Sequence, residues 1–316
     1  MRLRDVGEFG LIERIARSAR PSRRAGRRVV LGIGDDAAVL RLARGEDLAV
    51  STDALVEGVH FRWSGESPER IGRRAMAAAL SDLAAMGADP IGVTVALAAP
   101  ADLPLTRVDG LTRGLLAAAR RFETPLVGGN LARARQTSLA LTALGALPRG
   151  RMLRRGAARP GDAIFVTGAL GAAALAVAGQ RRGRRRTQLP EPRLAAGRAL
   201  LALRGIGACI DVSDGLLADL GHVLDASGVG AWVEVERVPL ARGFERACRR
   251  LGLDPLRLAL AGGEDYELLF TVRRGGPSRA LLRRRLGVRV SEIGRITRAR
   301  GLRGVPAAFR PGWTHF

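Results

Sequence analysis

The chain has 316 residues, 47% of them apolar, and its 52 Lys+Arg against 30 Asp+Glu give a formal charge of +22. That length and apolar fraction exclude a mainly disordered chain and leave room for two domains with buried cores. Two cysteines, Cys209 and Cys248, are too few for a disulfide scaffold, and the apolar runs fall short of the roughly 18–20 residues that span a bilayer. The start, MRLRDVGEFG, has no apolar signal core, so a soluble cytoplasmic protein is expected.

In chain order, residues 29–33 and 48–52 read as strands. Residues 67–86 read as a helix, with Ser67 as N-cap, Pro68 at the first helical position and Gly87 as the stop. A strand at 91–97, a helix at 106–121 and a strand at 138–147 follow. After a turn-rich stretch at 148–162 the alternation resumes, with strands at 163–167, 208–212, 231–235, 267–271 and 290–295. Helices are expected at 170–178, 193–203, 216–227, 242–251 and 279–286, and a polar loop at 180–192. The pattern is α/β, in two domains, 1–148 and 149–316.

A surplus of +22 points first to nucleic acid. Every basic residue is Arg, however, and the chain has no Lys. Phosphate binding gives no reason to exclude Lys, so the surplus reads as a coding bias spread over solvated faces. The acidic residues are more selective. Asp35 and Asp36 follow the strand VVLGIG, Asp53 ends LAVSTD, and Asp211 and Asp214 close CIDVSDG. All stand at carboxyl ends of apolar strands, where α/β proteins place ligands. Asp82 shares a helical stripe with Ile71, Ala75, Ala78 and Met86, where an unpaired carboxylate is costly and calls for an Arg or a metal.

Carboxylates without a matching His or Cys cluster suit Mg²⁺. Several in one cleft would hold more than one Mg²⁺ against a polyphosphate, which means phosphoryl chemistry on a nucleotide. No Walker A loop occurs. The VGGN segment at 127–130 lets backbone approach phosphate, and His60 follows a strand towards the same cleft.

Together these motifs resemble the thiamine-monophosphate kinase family of the aminoimidazole-ribonucleotide synthetase-like superfamily. The resemblance runs from GEFGLIERI through LGIGDDAAVL, STDALVEGVHF, ALSDLAAMGADP, RPGDAIFVTGALG, IDVSDGLLADLGH and GGEDYELLFTV to PGWTHF. It implies ATP-dependent, Mg²⁺-assisted direct phosphorylation of thiamine monophosphate to thiamine diphosphate. It implies two domains, each a β-sheet covered by helices, and a homodimer whose N-terminal domains pair strands into a barrel. Asp35, Asp53, Asp82, Asp211 and Asp214 then stand as Mg²⁺ ligands, with Ser51 and Thr52 beside Asp53. Ser213, Gly128, Gly129 and Arg155 fall where ATP is held, and His60, Glu264 and Trp313 in the thiamine-monophosphate site.

One departure stands out: the family's GGD is Gly128-Gly129-Asn130 here, so a metal-ligand Asp of the family is replaced by the only Asn of the chain. Retained activity with a weaker metal site is the simpler expectation. The alternatives are a degenerate paralogue that binds nucleotide or thiamine phosphates without turnover, and a related ATP-dependent synthetase with another acceptor. Neither a membrane nor nucleic acid is an expected partner.

Overall fold

A computed structural model describes residues 1–19, 21, 25–33, 37–184, 189–306 and 309. The chain divides into two units, residues 1–83 with 89–150, and residues 84–88 with 151 onward. The division at 150 lies two residues beyond the expected one, and the last turn of the helix ending at Met86 groups with the second unit.

The first unit opens with α1 (Leu3–Ser18), a helix not expected from the sequence, tied down by Arg14 bonding Asp109 at 2.6 and 2.7 Å. A short antiparallel pair follows, β1 (Val29–Leu31) with β2 (Val39–Leu40). Then come β3 (Glu46–Val56), α2 (Pro68–Met86), β4 (Asp89–Ala99), α3 (Leu105–Arg121), β5 (Leu126–Arg133) and β6 (Ser138–Pro148). The four long strands form one sheet in the order β3-β6-β4-β5. Only β4 and β5 run parallel, because α3 connects them, and a parallel pair needs such a crossover.

Helix α2 starts at Pro68 and stops before Gly87, whose φ of +75° suits a glycine after a helix end. It meets α3 backbone to backbone. A Cβ on Gly114 would lie 1.9 Å from the Glu69 carbonyl oxygen, and one on Gly72 2.2 Å from that of Leu111. Any side chain at either place would force the helices apart.

Strand β3 alternates between a sheltered and an open face. Ser51, Asp53 and Leu55 face the sheltered side with Leu139, Leu141 and Ala143 of β6; Leu48, Val50, Thr52 and Ala54 face the open one. The alternation continues to Val56, so Asp53 lies within the strand and does not end it. The open face stays apolar or small across the sheet, and Leu48 and Val50 are 49% and 59% exposed.

The second unit contains β7 (Ala163–Thr167), α4 (Ala172–Gln180), α5 (Leu194–Ala202), β8 (Ile206–Asp211), α6 (Leu216–Ser227) and β9 (Gly230–Val233). After these come α7 (Phe244–Arg250), α8 (Pro255–Ala261), β10 (Leu268–Val272), α9 (Arg279–Leu286), β11 (Val290–Thr297) and β12 (Gly301–Arg303). Its six-stranded sheet has the order β12-β9-β11-β7-β10-β8 and is antiparallel except for β12 beside β9. Ile164, Val166 and Ile210 of the sheet share one core with Leu216, Leu220 and Val223 of α6. No described helix is long and apolar enough to cross a membrane.

Candidate active site

In the first unit, β3 and α2 bring three of the expected residues together. Ser51 Oγ donates a hydrogen bond to Asp82 Oδ2. Asp53 lies two residues along on the same face of β3, and its Oδ2 is buried with no hydrogen-bond partner. Burial and the neighbouring Asp82 carboxylate push the Asp53 carboxyl up to about 6. A desolvated carboxylate with an open oxygen beside a second carboxylate and a hydroxyl is an all-oxygen donor set that fits Mg²⁺. Thr52 faces the other way, its Oγ1 3.0 Å from Thr142 Oγ1 on the open face.

Beyond β3 the chain turns through Gly58 to His60. The ring Nδ1 of His60 accepts from the Val56 backbone N–H at 3.1 Å, which leaves the proton of the neutral ring on Nε2. The His60 carbonyl accepts from Arg74 Nη2 at 2.6 Å, and the same nitrogen lies 3.1 Å from Glu66 Oε2. The Arg74 and Glu66 side chains are 1% and 0% exposed. One buried ion pair therefore ties the His60 backbone to α2 and to Glu66. The sequence reading missed this pair, although Arg74 sits three residues after Ile71 on the apolar stripe that identified Asp82.

In the second unit the IDVSDG and GGEDYE segments lie side by side. Asp211, 2% exposed, closes β8. The Glu264 N–H donates to the Ser213 carbonyl at 2.7 Å, and the Tyr266 N–H to that of Val212 at 2.8 Å. Backbone approaches this close need glycine: a Cβ on Gly263 would lie 2.3 Å from the Ser213 carbonyl oxygen. Glu264 and Tyr266 both adopt positive φ, at 66° and 51°, a left-handed conformation costly for such residues. The structure thus brings Asp211, Ser213, Asp214 and Glu264 into one neighbourhood.

Asp219, missed from the sequence, lies beneath them on the first turn of α6. Its Oδ2 accepts the backbone N–H groups of Ser213, Asp214 and Gly215 at 3.0, 3.1 and 3.0 Å. Burial and the charges of Asp211 and Asp214 push its carboxyl up to about 8, while the N–H bonds from the turn pull it down. Its signal was present: Asp219 shares a helical stripe with Leu216, Leu220 and Val223, as Asp82 does with its own apolar neighbours.

Other expected residues lie elsewhere within their own units. Gly128, Gly129 and Asn130 are on β5, at the opposite edge of the sheet from β3. Three strand spacings separate the edges, about 14 Å. Gly129 lies in the row of Asp53 through Val95 and Leu141, so Asn130 falls on the open face with Ala96 and Ala140. Arg155 is exposed, and its carbonyl accepts from Ser227 Oγ at 3.2 Å. Asp35 and Trp313 lie outside the described residues.

Carboxylates grouped on strand and turn in two α/β units define a recognisable class. Residues 34–147 match the N-terminal domain of AIR synthase related proteins, and residues 159–305 match their C-terminal domain. The thiamine-monophosphate kinase of Salmonella typhimurium is 40% identical over 98% of this chain and 98% of its own. That of Mycobacterium tuberculosis is 38% identical over 84% of this chain and 81% of its own. The crystal structure of thiamine-monophosphate kinase from Stenotrophomonas maltophilia superposes with a TM-score of 0.80 at 38% identity, covering 94% of this chain and 96% of that one. AaThiL complexed with AMPPCP and TMP superposes with a TM-score of 0.77 at 29% identity, covering 100% and 99%. The chain belongs to the thiamine-monophosphate kinase family.

Proposed function

We infer that this chain transfers the γ-phosphoryl group of ATP to thiamine monophosphate, giving thiamine diphosphate and ADP. Near-full-length similarity to thiamine-monophosphate kinases carries the reading, and the neighbour holding AMPPCP and TMP supports both substrates. An oxygen of the acceptor phosphate attacks the γ-phosphorus, and the bond to the ADP oxygen breaks. That acceptor is already ionised at neutral pH, so catalysis needs no general base; it needs position and relief of crowded negative charge. Mg²⁺, when bound, would supply that relief by neutralising negative charge. Asp53, Asp82 and Ser51 would hold it in the first unit, and Asp211 and Asp214 in the second, with Asp35 added on the family resemblance. Ser213, Gly128, Gly129 and Arg155 are assigned to ATP, and His60, Glu264 and Trp313 to thiamine monophosphate. Thr52 and Asn130 complete the metal assignments. The Thr52 side chain faces away from Asp53, so within one chain it joins Asp53 only through its backbone.

Purified protein with Mg-ATP is expected to form thiamine diphosphate from thiamine monophosphate and nothing from free thiamine. Measurable ATP binding without product from either would instead support a degenerate paralogue. A cytoplasmic location is part of the same proposal.

The open sheet face supports a homodimer. Leu48, Val50, Ala54 and Ala96 would leave water if two such faces met, and β3 and β5 offer free strand edges within the chain's own sheet. Val50→Glu, at a residue 59% exposed, is expected to shift the protein from dimer to monomer in sedimentation equilibrium. A dimer of unchanged strength would remove this face from the interface.

A further inference from the structure

We propose that Asp219 is a positioning residue for nucleotide and metal binding, holding the turn that carries Ser213 and Asp214 through three backbone hydrogen bonds. The nature of the ligand rests on the kinase reading; the role of Asp219 rests on this turn. One carboxylate oxygen, in a residue 1% exposed, gathers three consecutive N–H groups at 3.0 to 3.1 Å. With the donors of the turn drawn inward, its shape is fixed relative to α6. The other side is fixed as well, since the carbonyls of Val212 and Ser213 accept from Tyr266 and Glu264. Gly215, at φ +116°, makes the bend that a side chain would block against Ala261.

Three N–H donors on one carboxylate oxygen make stronger hydrogen bonds than a neutral Asn in its place would. Here the chain buries a third carboxylate where Asp211 and Asp214 already repel it. A local electrostatic cost of that kind is characteristic of functional sites. Asp214, Asp219 and His222 also present ligand-capable atoms within 4.8 Å of one another. Asp219 Oδ2 is committed to three donors, however, so its action falls on the turn. The hydrogen bonds place Asp219 behind the residues assigned to ligand, and nothing here requires it to touch the reacting atoms.

Calorimetric titration with the nonhydrolysable analogue AMPPCP, across a range of Mg²⁺ concentrations, tests the role in wild type, Asp219→Asn and Asp254→Asn. Asp254 caps α8 through the N–H groups of Leu256 and Arg257 and serves as a structural control. Asp219→Asn is expected to weaken Mg²⁺-dependent nucleotide binding about 10-fold or more, the usual scale for groups that orient metal ligands. Asp254→Asn, whose amide oxygen can still accept the two N–H groups, is expected to leave binding unchanged. Wild-type binding by folded Asp219→Asn would overturn the proposal. Should that variant not fold, hydrogen exchange in wild type still decides: protected amides at Ser213, Asp214 and Gly215 are expected, and fast exchange there would overturn it. A wild type that binds no nucleotide would end the kinase reading instead, while the exchange result still reports on the turn.

Discussion

Asp53→Asn is expected to make the metal-free protein more stable at neutral pH and to leave it nearly inactive. In the fold the carboxyl titrates near 6, above its ordinary value of 3.8, because it is desolvated and faces Asp82. The folded state therefore holds a proton that the unfolded chain releases, and stability from this group falls as pH rises from about 4 to 6. Above that window the ionised carboxylate is a cost of about 3 kcal/mol, which the neutral amide removes. The same substitution takes away a negative oxygen that the proposed function assigns to Mg²⁺, and turnover is expected to fall roughly 10²-fold or more, as when one electrostatic stabiliser is lost. Denaturation with and without Mg²⁺ at about pH 7.5, paired with a turnover assay, checks both halves. Added Mg²⁺ should stabilise wild type more as pH rises through about 6, because only the ionised form binds it well. A variant that loses stability and keeps activity would remove Asp53 from the site.

The second large effect is expected at Arg74. Arg74→Met leaves the Glu66 carboxylate, 0% exposed in its side chain, without its guanidinium, and strips the His60 carbonyl of its donor. Breaking a buried pair from one side costs about 3–5 kcal/mol, because the remaining charge cannot reach water. The midpoint of thermal unfolding should drop by roughly 10 °C. Arg74→Met with Glu66→Leu should recover a large part of that loss, since a buried pair exchanged for apolar side chains is often near neutral. Recovered stability with a raised KM for thiamine monophosphate would separate holding the His60 turn from holding the fold. Equal losses in the single and double variants would refute the pairwise account.

Residue by residue, single carboxylates were easier to pick out of the sequence than the bounds of the elements around them. Asp53, Asp211 and Asp214 were singled out as standing at carboxyl ends of apolar strands, and Asp82 as a charge on an apolar helical stripe. Asp219 and Arg74 put charges on apolar helical stripes and were passed over, as α6 and α2 looked complete without them; Glu66 lies in the segment before α2. Strand β5 was missed because Val-Gly-Gly-Asn has little β propensity; it is a strand because β4 offers an edge and α3 returns the chain to it. Helix α1 was hidden by Gly7, whose φ of +71° interrupts it. Short α8 depends on its Asp254 cap and Pro255, signals outweighed by its seven-residue length. The two-faced character of the sheet was only half legible: period-two alternation shows that faces differ, and leaves open which one the helices cover.

Glu264 and Tyr266 carry a consequence for how this protein would change under selection. Each sits at positive φ, where an ordinary residue costs about 1–2 kcal/mol and glycine almost nothing. A population bred only for heat resistance should drift toward Gly or Asn at both positions, and one bred for turnover should drift back. The backbone pairing against Ser213 would survive either history; the Glu264 side chain, which the proposed function assigns to thiamine monophosphate, would survive only one.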